Sequence, residues 1–177
     1  ALTQLRGSIA LQTAFCILAV DFHVFPRTGA KTLTYGRSVM DLGVGAVVFA
    51  GALTRRRWHG TAAAEGTRAT VRTLIRHAPL LAAGLGRLLA VRVTSYHEVH
   101  SEYGTHWNFF FTLAIVAVVT PHLGPRSAGG CALAACGLLS LHQMLLSGGL
   151  SKFVMTAPRV SLLSANKEGL ASLPGYL

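Results

Sequence analysis

The chain has 177 residues, 51% of them hydrophobic and only 12% charged, with 16 Lys+Arg against 6 Asp+Glu for a net charge of +10. A charged fraction about half the ~25% of soluble domains excludes a disordered chain, and three cysteines are too few for a disulfide framework. What remains is a membrane protein or a very apolar soluble one, and the placement of the positive charges decides between them.

In chain order, apolar runs alternate with short polar ones and predict an all-α, polytopic transmembrane helical bundle. About five spans are expected, near residues 5–22, 38–53, 78–95, 107–121 and 128–146, followed by a tail over 147–177, all in a single membrane-embedded domain. The first run (SIALQTAFCILAVDF) is short, the second carries Asp41 near one end, and the third holds Arg87 and Arg92. The fourth (WNFFFTLAIVAVVT) is the cleanest, and the fifth is rich in Gly, Ala and Leu and ends in His142-Gln143, read as interhelical hydrogen-bonding groups. None alternates with period two, as barrel strands would. Glycines such as Gly43, Gly84 and Gly137 would weaken helices in water but allow close backbone approach in lipid. No initiator methionine or cleavable leader opens the chain, which reads as an internal stretch of a longer protein.

The connections sort by charge. Residues 54–77 hold Arg55, Arg56, Arg57, Arg68, Arg72 and Arg76 against Glu65, whereas residues 96–106 hold Glu98 and Glu102 and neither Lys nor Arg. The positive-inside rule puts the Arg-rich loop in the cytoplasm and the other connections on the luminal side. Nucleic acid is not the expected partner, because only Trp58 interleaves the basic cluster and no reading module surrounds it.

The luminal segments carry most of the chemically unusual residues. Asp21 closes the first run, and Arg27 and Lys31 follow on a Pro-bent stretch; this is either a helix-end carboxylate with basic neighbours or a general base beside a stabilising cation. The second segment offers His97, Glu98, His100, Glu102, His106, Trp107 and Asn108. Its H-E-x-H order lacks the i, i+4 histidine spacing of zincins, so a polar cap, substrate contacts and a metal site all stay open, with no metal assigned. Asp41 needs a partner, either Arg37 one turn away or Arg87 on another helix. Arg159, Asn166 and Lys167 stand in the tail, where the two cations are candidates to meet phosphate. The cysteines fall inside apolar runs and read as packing residues.

Three blocks together resemble a known family. D-F-x-V-F-P-R-x-x-A-K-T with Y-G-R-S-V-M-D-L-G-V-G, then H-E-V-H-S-E-Y-G-T-H-W-N-F-F-F-T-L, then A-N-K-E-G-L-A-S-L-P-G-Y-L are similar to the inositol acyltransferases of glycosylphosphatidylinositol (GPI) anchor synthesis, the PIG-W family with its fungal Gwt members. The resemblance implies a multi-pass enzyme of the endoplasmic reticulum membrane with a luminal active face. It implies transfer of a fatty acyl group from acyl-CoA, typically palmitoyl-CoA, to the inositol of glucosaminyl-phosphatidylinositol, with no bound cofactor. The family's catalytic aspartate and lysine fall on Asp21 and Lys31, and His23 stands where the family usually has proline. Arg27, Asp41, His97, Glu98, Glu102, His106, Trp107, Asn108, Arg159, Asn166 and Lys167 are then the candidate substrate-binding residues. The competing readings are a transporter or channel using Asp21, Asp41 and Arg87, and a membrane metalloenzyme using His97, His100 and His106.

Overall fold

A computed structural model describes residues 2–26, 41–53, 67–96, 100–123 and 127–177. The described residues are helical, and none of them forms a strand. Their contacts divide the chain into two units, Ala1–Ala62 and Ala63–Leu177.

The first unit pairs α1 (Leu2–Ala19) with α2 (Asp41–Leu53). Gly43 faces this contact, where a Cβ would stand 3.9 Å from Thr13 Oγ1, an ordinary van der Waals distance. The Thr13 hydroxyl donates back to Ile9 O at 2.8 Å, so it is satisfied within α1. Ala50 is the buried apolar side chain of this unit among the described residues.

The second unit opens with α3 (Thr67–Arg76) and α4 (Ala78–Thr94), which are bent by 50° at their junction. Pro79 explains the break: it has no N–H to offer Ile75 O, and its ring crowds the preceding turn. Residues 54–77 are expected to be an Arg-rich loop, but Thr67–Arg76 within them is helical because Arg, Thr and Leu carry no strong breaker before Pro79. At its other end, α4 stops at Ser95, whose left-handed φ of 51° returns its amide to Val91 O.

A short α5 (His100–Tyr103) leads to α6 (Phe109–Val119), which packs chiefly on α4. The cleanest expected span, 107–121, is thereby shortened. Trp107 and Asn108 lie outside the helix because the Asn108 side chain caps it, and a 3₁₀ turn over Thr120–His122 closes it. Helix α7 (Ala128–Leu145) starts at Ser127, which accepts from Gly130 N at 3.1 Å. The chain then continues through a π turn over Leu146–Leu150 into α8 (Ser151–Thr156). The expected tail from 147 is therefore helical as far as Thr156, with a kink at Gly149, whose φ of 121° is not helical, between two helical stretches. Helices α9 (Leu162–Ala165) and α10 (Lys167–Tyr176) complete the unit, with α10 against α5, α6, α7 and α8.

Among the described residues one helix, Ala128–Thr156, is long and apolar enough to cross a membrane, and α3 with α4 is a second candidate if the bent pair acts as one span. Leu42–Leu53 and Phe109–Val119 are apolar but shorter than the ~17 residues a single crossing needs. The burial pattern is inverted relative to a water-soluble core. Among the described residues the buried apolar side chains are Ala50, Ala114, Val116 and Ala117, while Leu11, Phe15, Leu133 and Met144 are exposed. In lipid, exposed Leu and Phe carry no penalty, and cohesion falls to small residues and hydrogen bonds instead. His142, read as an interhelical hydrogen-bonding group, does not make such a bond among the described residues: its Nδ1 is buried without a partner, and Gln143 bonds to Ser147 Oγ of the following π turn at 3.4 Å.

The α4–α6 contact depends on Gly84, where an added Cβ would lie 2.6 Å from Phe111 Cε1. Gly84→Val is expected to destabilise the detergent-solubilised full-length protein by about 1–3 kcal/mol through overpacking. A thermal-unfolding midpoint equal to that of the unsubstituted protein would show that Phe111 simply swings away.

Candidate functional site

Parts of two of the sequence blocks, 97–113 and 165–177, come together in the second unit, with Arg159 beside them. Their meeting is built from polar side chains. Asn108 is 1% exposed and serves two helices at once. Its Oδ1 accepts from Phe110 N at 3.1 Å and Phe111 N at 3.4 Å, capping α6, while its Nδ2 donates to Gly84 O of α4 at 3.0 Å. Trp107 turns its Nε1–H to Thr112 Oγ1 at 3.0 Å, and its ring meets Phe111 edge-on at 6.2 Å. Thr112 is fully buried, so this bond satisfies two polar groups that would otherwise be stranded.

From the opposite side, Asn166 accepts the His106 amide on Oδ1 at 2.8 Å and donates its Nδ2 to Leu162 O at 2.9 Å. The chains approach this closely because of two glycines. At Gly104 (φ 106°) a Cβ would sit 2.6 Å from Ala165 O, and at Gly169 it would sit 2.7 Å from Tyr103 O and inside the Trp107 ring. Thr105 N adds a backbone bond to Ala165 O at 2.9 Å.

The two tail cations are occupied by the protein itself. Arg159 grips Glu168 with both guanidinium nitrogens, at 2.9 and 2.5 Å, and also donates to Ala165 O and His100 O. Lys167 is buried; its Nζ donates to Phe153 O at 3.4 Å and to Ala157 O, and lies 5.9 Å from the centre of the Phe153 ring. A buried ammonium requires such partners, and here they are carbonyls at the end of α8, that of Phe153 also accepting the Ala157 amide. In this structure Arg159 and Lys167 thus staple the fold, whereas the sequence reading put them near phosphate.

At the edge of this assembly lies a cleft of about 430 Å³ between the end of α4 and the start of α5. Arg92, Ser95, His100 and His106 supply its polar wall, Leu88 and Val91 its apolar one, and Arg92 Nη2 lies 3.5 Å from His106 Nδ1. Glu102 is exposed on α5. Among the described residues no three His, Cys, Asp or Glu side chains are grouped to hold a metal ion.

The first unit places Asp21 in the turn that follows α1, exposed, with its amide on Leu18 O at 3.2 Å. Beside it Phe15, Leu18, Phe22, Val24, Phe25 and Pro26 line an apolar groove of about 260 Å³. Arg27, Lys31, His97 and Glu98 lie outside the described residues; Asp41 opens α2, and its side chain is likewise outside them. Sequence reading passed over Gly84, Gly104, Thr112, Glu168 and Gly169 as site-building residues. A Y-G-T and a K-E-G beside polar runs were the available signals for two of the glycines, and nothing in F-F-F-T marks its threonine as the partner of a tryptophan.

Asn166→Ala would leave the His106 amide and Leu162 carbonyl without their partners. We expect a loss of about 1–3 kcal/mol, seen as a lower unfolding midpoint of the full-length protein. No change would mean that water replaces both bonds.

The family model described as GWT1 matches residues 1–177. Similar proteins include an uncharacterized protein of Arabidopsis thaliana, 41% identical over 175 residues, and the GPI-anchored wall transfer protein 1 of Gibberella zeae, 40% identical over 193 residues. The phosphatidylinositol-glycan biosynthesis class W protein of Dictyostelium discoideum is 35% identical over 216 residues. These alignments take in 97%, 99% and 99% of this chain but 38%, 38% and 44% of the relatives, so the chain spans about two fifths of their length.

Proposed function

The chain belongs to the GWT1 family, and from that membership we propose that it serves GPI-anchor synthesis as the acyl-transferring part of a multi-pass enzyme of the endoplasmic reticulum membrane. The reaction is transfer of a fatty acyl group from acyl-CoA to an inositol hydroxyl of glucosaminyl-phosphatidylinositol. The observation that carries the reading is the family match over the whole chain, which takes in the D-F-x-V-F-P-R-x-x-A-K-T block with Asp21 and Lys31. The names of the relatives from Gibberella zeae and Dictyostelium discoideum, a GPI-anchored wall transfer protein and a phosphatidylinositol-glycan biosynthesis protein, agree with it.

The chemistry gives each residue a task. An inositol hydroxyl is a weak nucleophile near neutral pH, so a carboxylate within hydrogen-bond reach must accept its proton as attack proceeds. Asp21, exposed where α1 ends, is suited to that role. The hydroxyl oxygen adds to the thioester carbonyl, an oxyanion forms and collapses, the C–S bond breaks, and CoA leaves as a thiolate that takes up the proton. Lys31 supplies positive charge for the oxyanion or for the CoA phosphates. The groove beside Asp21 has the apolar lining that an acyl chain requires, and is the feature of the first unit that favours a lipid donor. Arg27, Asp41, His97, Glu98, Glu102 and His106 remain the proposed contacts to the glycolipid, and His106 faces the cleft. Trp107 and Asn108, bonded to Thr112 and Gly84, act instead by anchoring the chain next to His106. Further spans beyond Ala128–Thr156, a luminal active face and a lipid-filled surround belong to the same proposal.

Asp21→Asn in the full-length protein, assayed in membranes with labelled palmitoyl-CoA and glucosaminyl-phosphatidylinositol, is expected to lower acyl transfer about 10²–10⁴-fold, the range of a lost general base. Lys31→Ala is expected to cost about 10²–10³-fold, as for a lost oxyanion partner. Wild-type rates in Asp21→Asn would remove the aspartate from the reaction, and failure of the wild-type protein to transfer label would remove the reaction itself.

A further inference from the structure

Helix α3 presents three chemically different sides. Thr70, Thr73 and His77 are half-buried toward the protein: the Thr70 hydroxyl pairs with His122 Nε2 at 3.2 Å, and His77 Nδ1 meets Thr73 O at 2.8 Å. Val71, Leu74 and Ile75 form a second side, 48%, 47% and 68% exposed. Arg72 and Arg76, four apart, form a third; both are exposed and meet no hydrogen-bond or ionic partner among the described residues. The helix is therefore docked on the protein along one line, with an apolar strip and a cationic strip side by side on what is left.

That division, in a ten-residue helix leaving the apolar α4 at 50°, differs from what either a crossing helix or a solvated one would carry. A crossing helix does not carry two unpartnered arginines on one flank, and a solvated helix gains nothing from an exposed strip of Val, Leu and Ile. A helix lying in the headgroup layer needs both: the aliphatic side chains enter the acyl boundary while the guanidinium groups meet lipid phosphates. Pro79 supplies the turn that lets one continuous stretch pass from this orientation into α4.

We propose that α3 is an interfacial helix whose Val71, Leu74 and Ile75 insert into a bilayer leaflet, and whose Arg72 and Arg76 bind its anionic phospholipids. Positive charge near a membrane surface favours anionic over zwitterionic headgroups by about fivefold per arginine, so the two together set a preference of roughly 25-fold. The proposal does not depend on the acyl-transfer reading, since it concerns a surface and not the reaction.

The test uses the full-length protein, with native cysteines replaced, in nanodiscs of phosphatidylcholine alone or with phosphatidylserine. A nitroxide on Ile75→Cys is expected to be accessible to oxygen and shielded from a polar nickel relaxant, more so with phosphatidylserine. The same label on Arg76→Cys is expected to report the headgroup layer. Arg72→Gln with Arg76→Gln is expected to remove the phosphatidylserine dependence and lower the inserted-to-withdrawn ratio about 25-fold. Quenching of Ile75→Trp by brominated phospholipid repeats the measurement with the native cysteines in place. A label at residue 75 open to the nickel reagent in both lipids would overturn the proposal, and so would one closed to both reagents, which would mean that another protein segment covers the strip.

Discussion

The side chain of Asn108 is the point on which the second unit depends. It sits at the start of α6, caps that helix with one end of its amide and holds the Gly84 carbonyl of α4 with the other. An amide can do this because it carries an acceptor and donors on the same flat group. The Gly84 carbonyl is within reach because a residue without Cβ lets the Phe111 ring come against the α4 backbone. The cap and the helix pairing are thus one interaction, and the segment from His100 to Trp107 is fixed relative to both helices by it. Asn166 then repeats the arrangement one layer out, accepting from His106 and donating to Leu162.

This distribution of forces is the one that the proposed membrane setting calls for. Where the outward face is Leu, Phe and Ile, burial of more of the same offers little net gain once lipid replaces water, and specificity falls to groups with directional bonds. The described interior accordingly holds Asn108, Thr112, Ser164, Asn166 and Lys167 beside a few small apolar side chains. Each has a partner, as a polar interior requires if it is to define one structure. Ser161 and Ser164 illustrate the economy: they cap α9 reciprocally, each side chain taking the other's amide.

Much of the helical layout was legible from hydropathy alone, because apolar runs flanked by polar segments have few other solutions. The runs near 78–95 and 128–146 lie on α4 and α7 almost residue for residue. What was not legible was the length of α6 and the course of the chain after 146. Both turn on single residues whose effect is three-dimensional: an Asn that caps where it might have continued, and a glycine that bends where it might have stopped. At the site, residue type alone says little about which neighbours a side chain meets. Arg159 and Lys167 look like phosphate ligands in a sequence because a cation announces its charge and not its neighbours. Glu168 and the carbonyls of Phe153 and Ala157, which take up that charge, become visible only when the chain is folded. The glycines were hidden for the opposite reason: their contribution is the absence of an atom.

The bend at Gly149 has a mechanical meaning. It divides the one long apolar helix into α7, about 27 Å of regular helix at 1.5 Å per residue, and the shorter α8, whose closing carbonyls are tied to Lys167. A glycine at a positive φ, with nothing within 4 Å of where its Cβ would be, lets the chain turn there with no side chain in the way. The turn therefore separates the direction of α7 from that of α8, which Lys167 ties to the neighbourhood of Asn166 and so to the segment that holds His106.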